Sequence, residues 1–332
     1  MKNILIVLII AVCPLSAGEL SGGNRLAVDE FAPVEIGGMK LMMLIRGKDL
    51  SKPVLLHLHG GPGHSRIPFA HAATDRLVND CIVVYYDQRG AGLSYDGKLP
   101  ESEMTLSRMI DETKAVTDYL KKRFKKKKIF LLGHSWGSRL GVFAVLKHPE
   151  DYYAFIGAGQ VVAPERQETA AIEWLKREIA ESHDSGDVRK IPEMERFNFA
   201  NRDLVMKYGG QSHLLSRADI AGIMKASPYS PEKYRGGLFK KGGRISRPLY
   251  KEHHLIDHVS NPPVFAVPVH LFLGRYDHVT PTAPVEEFFI KMKAPKKEIV
   301  WFENSAHQLD IEEPVKFQET IARIVSEEGM PE

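Results

Sequence analysis

The sequence has little cysteine, little net charge and no long apolar run beyond its first residues. Only two of its 332 residues are cysteines, Cys13 and Cys81. Neither belongs to a zinc-like spacing, and a framework of several disulfides is excluded. No H-E-x-x-H motif is present, so no metal site is expected. The formal net charge is only +3, too small to imply nucleic acid as a partner. No internal repeat is present. With 43% hydrophobic and 26% charged residues, the chain has globular proportions. Its length suits one large domain, or one domain with an insertion.

The N-terminus reads as a targeting segment, residues 1–18. Lys2 is its positive start, Ile4 to Val12 its apolar run, and Ser16-Ala17-Gly18 its small residues for cleavage. The apolar run is short for a membrane span. A lipoprotein signal would need a small residue before Cys13, and Val12 stands there. The expectation is an exported protein, periplasmic or secreted, with no stable membrane span after cleavage. An uncleaved anchor is the alternative. Cleavage leaves Cys81 alone, at the head of an apolar run and expected to be buried.

Beyond the signal, short apolar runs alternate with helical patterns. Met39 to Arg46, Val54 to His59, Cys81 to Tyr86, Ile129 to Leu132 and Tyr152 to Gly159 read as strands. Met104 to Arg123 and Ser138 to Lys147 read as helices. This alternation predicts an α/β fold with a mostly parallel sheet covered by helices. The pattern breaks over 162–263, which is rich in charge and helical stretches. Strand-like runs resume at Val267 to Leu273 and Glu298 to Phe302, and Glu313 to Glu327 reads as a closing helix. The expected organisation is a core over 19–161 and 264–332 with a helical cap inserted at 162–263. An independent second domain is the rival, but no low-complexity linker flanks the insertion.

Gly133-His134-Ser135-Trp136-Gly137 matches G-x-S-x-G, after a buried strand and before a helix. A serine on so sharp a strand-to-helix turn needs neighbours without bulk two residues to either side. The helix that follows offers free N–H groups where negative charge develops. His59-Gly60-Gly61-Pro62-Gly63 follows an earlier strand. The backbone N–H groups of Gly61 and Trp136 are the candidate oxyanion donors.

A serine hydroxyl needs a histidine to take its proton and an acid to hold that histidine. In the order Ser, acid, His, the candidates are Ser135, Asp277 and His307. Asp277 and His307 each lie on a loop after a strand, where parallel sheets place their ligands. Asp310 is the runner-up acid. His57 reads as packing, His134 lies inside the elbow, and His253 and His254 belong to the insertion. Lys121 to Lys128 reads as a solvated helix end.

His-Gly-Gly-Pro-Gly at 59–63, Asp-Gln-Arg-Gly-Ala-Gly-Leu-Ser at 87–94, Gly-His-Ser-Trp-Gly-Ser at 133–138 and Gly-Arg-Tyr-Asp at 274–277 resemble the prolyl aminopeptidase (proline iminopeptidase) family. The resemblance implies an α/β-hydrolase fold with a helical cap, no cofactor, and release of an N-terminal residue, often proline, from short peptides. It departs from the family at His134, where glycine is usual. It also implies cap carboxylates that hold the substrate's amine. Glu165 and Glu168 are the candidates, with solvated helix charges as the plain alternative. In the 87–94 motif, Asp87 reads as part of a structural loop and Arg89 as a brace that pairs with a carboxylate. Two other functions stay open: a carboxylesterase or lactonase using the same triad, and a non-catalytic binding protein of the same fold.

Overall fold

A computed structural model describes residues 26–194, 199–231, 234 and 237–329. The proposed signal segment, 1–18, lies outside the described residues. Eight strands form one sheet: β1 (Val28–Ile36), β2 (Met39–Gly47), β3 (Val54–Leu58), β4 (Ile82–Tyr86), β5 (Ile129–His134), β6 (Tyr152–Ala158), β7 (Val269–Gly274) and β8 (Lys297–Phe302). Their spatial order is β1-β2-β4-β3-β5-β6-β7-β8. β1 and β2 form an antiparallel hairpin, and β2 runs antiparallel to β4. All the other pairings are parallel.

Helices cover both faces of the parallel part. The longer helices, those on the sheet and those of the interval between β6 and β7, are α1 (Leu106–Phe124), α2 (Trp136–Lys147), α3 (Pro164–Ser182), α4 (Phe199–Lys207), α5 (Arg217–Ala226), α6 (Leu238–Ile245), α7 (Arg247–His254), α8 (Ala283–Lys291) and α9 (Pro314–Glu328). Every residue of β3, β4, β5 and β7 is buried. This explains their unbroken Val, Ile, Leu and aromatic runs: a strand covered on both faces gains nothing from alternation. One apolar core joins Leu56, Val84, Leu131 and Leu271 to α1, α2 and α8. The other joins Leu55, Phe130, Ile156 and Phe272 to α9. Cys81 is buried in the second core and donates its thiol to the Leu77 carbonyl.

The topology decides where a site can form. β3 is followed in sequence by β4 on one side, while β5 lies on its other side. The chain therefore reverses its direction of travel across the sheet between β3 and β5. Crevices open at the carboxyl ends of strands at such a reversal. Leu58 pairs with Gly133 there, so the glycine turn after β3 and the serine turn after β5 are neighbours.

Among the described residues, no strand lies between Ala158 and Val269. Helices α3 to α7 fill that interval and form a cap. It has its own apolar cluster of Ile172, Trp174, Leu175, Ile179, Met194, Leu204 and Val205. Buried Arg139 on α2 bolts the cap to the core. Its guanidinium donates to the carbonyls of Val162, where the cap begins, and of His253 and Ile256, where it ends. The lysine run closes α1, whose end is marked by left-handed Lys125. Among the described residues, no helix is long and apolar enough to cross a membrane.

Candidate active site

Ser135 stands between β5 and α2 with φ 54° and ψ −123°. No hydrogen-bonded ladder imposes such a conformation, so packing must hold it. A Cβ at Gly133 would lie 2.3 Å from the Gly137 carbonyl oxygen, and one at Gly137 would lie 2.0 Å from the Leu58 carbonyl oxygen. Glycine at both positions is therefore a steric requirement of the turn. The Ser135 N–H donates to the Ala158 carbonyl at 2.9 Å, and its carbonyl accepts from the Ser138 hydroxyl at 2.6 Å. The serine is 8% exposed.

His307 Nδ1 lies 2.8 Å from Asp277 Oδ2. Asp277 accepts further bonds from the N–H groups of Val279 and Thr280 at 2.9 and 2.8 Å, and from the Thr280 hydroxyl at 2.7 Å. Burial alone would raise its carboxyl. The adjacent His307 and these donors outweigh burial and hold it below the usual carboxylate range. Asp277 is therefore an ionised acceptor, which assigns the proton to Nδ1 of His307 and leaves Nε2 as the ring's basic atom. Nε2 is buried and makes no hydrogen bond among the described residues. Ser135 and His307 line one hollow.

The turn after β3 is held by a polar relay. His59 Nδ1 donates to the Gly60 carbonyl at 2.8 Å, and its Nε2 accepts from the Gln88 N–H at 3.0 Å. Burial lowers this imidazole to about 4, so it is neutral and its tautomer is set by its two partners. Gln88 returns a bond to the His59 carbonyl and accepts from the Trp136 indole at 3.0 Å. One side chain of the 87–94 motif thus joins the glycine turn to the serine turn. Arg89 pairs with buried Glu112 and donates to the Gly37 carbonyl, bracing the loop from below.

The remaining candidates fall as follows. Asp310 is buried and paired with Arg66, not with His307. His57 is buried against Tyr85, ring centroids 4.6 Å apart. His134 donates its Nε2–H to the His307 carbonyl at 2.8 Å, and its ring lies 4.8 Å from the His307 ring. Burial lowers it to about 3, which makes it a neutral donor. The sequence shows His134 as a departure without a purpose; here it supports the His307 loop. His253 packs on Trp136 at 5.0 Å.

Two hollows meet at Ser135. The first, about 460 Å³, runs under α4 and α5 past Arg66 and His307. The second, about 400 Å³, runs under α3 and α7 past Trp136, Glu168 and Thr280. Gly61, Ser135 and Arg202 border both. Of the two cap carboxylates predicted, only Glu168 reaches this space, with His254 Nε2 at 3.2 Å from its carboxylate. Glu165 does not. It is exposed in the first turn of α3 and lines a separate hollow away from Ser135. The two glutamates are three residues apart and share that hollow, as neighbours on one helix face do, but Glu168 alone also borders the space at Ser135. Arg139, Gln88 and Arg202 carry contacts that no local sequence pattern announces.

The doubly flanked parallel sheet, the serine elbow and the Asp–His pair define an α/β-hydrolase. The model of the family described as serine aminopeptidase, S33, matches residues 50–314, and the chain belongs to that family. A probable aminopeptidase of Bacillus subtilis, YbaC, is 31% identical over 312 residues, covering 87% of this chain and 94% of that one. A proline iminopeptidase of Saccharolobus solfataricus is 26% identical, over 82% of this chain and 84% of that one. The crystal structure of a proline iminopeptidase of Mycobacterium smegmatis superposes with a TM-score of 0.64 at 18% identity, covering 90% of this chain and 98% of that one. This last likeness is one of fold.

Proposed function

We propose that the protein is an exported aminopeptidase that releases an N-terminal proline or similar residue from short peptides through an acyl-enzyme on Ser135. The observation that carries this reading is that His307, paired with Asp277, shares a hollow with an elbow serine. His307 Nε2 takes the proton of the Ser135 hydroxyl as Oγ attacks the scissile carbonyl. The developing oxyanion is held by the N–H groups of Gly61 and Trp136. His307 then hands its proton to the departing amine. A water, deprotonated by the same nitrogen, releases the acyl group and restores Ser135. Glu168 holds the substrate's ammonium in the second hollow.

Labelling with a fluorophosphonate, with Ser135→Ala as control, tests the nucleophile. Turnover of proline arylamide, its N-blocked form and simple aryl esters tests the substrate class. The reading expects labelling that Ser135→Ala abolishes and a rate that falls on blocking the amine. An unchanged rate on the blocked substrate would replace the aminopeptidase with an esterase-like enzyme. Absent labelling of the folded protein would leave a binding protein. N-terminal sequencing of protein recovered outside the cytoplasm tests the export signal, with cleavage near residue 18 expected.

A further inference from the structure

Arg202, on cap helix α4, borders both hollows that meet at Ser135. It is half-buried and makes no ion pair among the described residues. Its one polar partner there is the side-chain oxygen of Gln211, 3.1 Å from Nε. The two Nη groups are left for something else. A guanidinium presents a planar fork that suits a carboxylate.

The other charges of the first hollow are already matched. Arg66 is neutralised by Asp310 and also binds Gln308, and Arg217 is paired with Asp203 at 2.7 Å. Arg202 is therefore the cation of that hollow left without a carboxylate among the described residues. It is also held in place relative to the base, because the carbonyl of Gln211 accepts the N–H of His307.

We infer that Arg202 binds the carboxylate of the substrate's leaving fragment, which makes dipeptides with a free C-terminus the preferred substrates. The inference rests on the aminopeptidase reading above for the direction in which the peptide lies. With the ammonium at Glu168 in the second hollow, the leaving residue enters the first. In a dipeptide its carboxylate carbon lies three bonds beyond the scissile carbonyl carbon, within about 4 Å at ordinary bond lengths. Arg202, which borders both hollows with Ser135, stands on the side from which such a carboxylate can be met.

The test compares kcat/KM for prolyl-glycine and its C-terminal amide, in the wild type and in Arg202→Gln. The wild type should favour the free acid by at least about tenfold, the range of a charge-assisted hydrogen bond. Arg202→Gln should erase that preference. Equal use of acid and amide by the wild type, or an unaltered preference in the variant, overturns the inference and leaves the aminopeptidase reading standing. A second pair, 4-acetoxybenzoate and its methyl ester, differs in leaving-group charge without containing a peptide bond. If both peptides are inert while Arg202→Gln changes the ratio of the esters, the aminopeptidase reading fails and the anion site stands. If the labelled enzyme turns over none of the four, both fail. Should Arg202→Gln not fold, salt gives the same answer on the wild type. Rising ionic strength should erode the free-acid preference, and a salt-insensitive preference overturns the inference.

Discussion

The backbone N–H of His307 donates to the carbonyl of Gln211 at 3.2 Å, so a cap residue holds the loop of the candidate base. One position earlier, the Gly210 carbonyl accepts from the His278 N–H at 2.9 Å, beside Asp277. Glu312 completes the junction. Its carboxylate accepts from the Ala306 N–H on the core and from the Ser212 hydroxyl on the cap. Both loops of the Asp–His pair are thus fastened to one cap segment, and the cap does more than cover the hollow.

That fastening depends on close approach at Gly210. A Cβ there would lie 2.6 Å from the Trp174 ring and 2.8 Å from His278 Cβ. Trp174 and His278 are stacked with centroids 3.9 Å apart, so neither ring can retreat alone. Gly210→Ala should lower stability by about 1–3 kcal/mol, the usual cost of overpacking. It should also reduce kcat by displacing the loops, although it touches no reacting atom. Urea unfolding and steady-state kinetics on the same preparation check both effects. A variant that loses stability at unchanged kcat would show that the cap does not position the pair.

Asp277 and Asp310 are both buried carboxylates within reach of the base loop, and they should fail differently. Asp277→Asn keeps the shape but turns the acceptor of His307 into an amide, favouring the wrong tautomer. A loss of kcat of roughly 10³–10⁴ is expected with little change in folding. Asp310→Asn leaves Arg66 charged, buried and without its anion. That should cost roughly 3 kcal/mol of stability and spare most of the activity of the molecules that remain folded. Active-site titration with a fluorophosphonate separates the two, since it counts competent sites. Reversal of this pattern would exchange the roles of the two acids.

His134 makes a subtler prediction. As a neutral donor to the His307 carbonyl, it holds the backbone of the candidate base and not its ring. His134→Ala should lower kcat by about tenfold, the worth of one buried hydrogen bond, while the pH profile of kcat/KM keeps its form. His134→Gln, which can still donate an N–H, should recover part of the loss. Disappearance of a titration limb in His134→Ala would mean that this ring exchanges protons in the reaction.

Residues whose place follows from the ends of strands were legible in the sequence. Ser135, Asp277 and His307 each follow an apolar run, and a parallel sheet brings such ends together whatever lies between. Glycine spacing around Ser135 was legible for the same local reason. The glutamates of α3 were not separable, because their aspect depends on how the helix rolls against the core. Arg139, Gln88 and Arg202 were not legible at all. Their partners lie tens to more than a hundred residues away for Gln88 and Arg139, and the pairing of Arg202 with Gln211 needs the turn after α4. The proposed signal remains a matter of sequence alone.

Asp87 supplies a test of the fold's response to pH. Its Oδ2 accepts from the Tyr234 hydroxyl and the Leu93 N–H, both at 2.6 Å, while Oδ1 is buried without a partner. Burial is the dominant effect and raises the carboxyl to about 6, against the hydrogen bonds that lower it. In the unfolded chain an aspartate titrates near 3.9. Between these values the native state binds more protons than the unfolded state, so this group lowers stability as pH rises from about 4 to about 6. Asp277 and Asp310 are held below the usual range and act in the opposite sense, so the total curve does not isolate Asp87. The difference between Asp87→Asn and the wild type does. The variant lacks this titration, and its stability relative to the wild type should rise by about 2–3 kcal/mol from pH 4 to pH 7. Urea unfolding at several pH values, extrapolated linearly to water, measures that difference. A difference that stays flat across the window would mean that Asp87 is ionised in the folded protein throughout, with a donor reaching Oδ1.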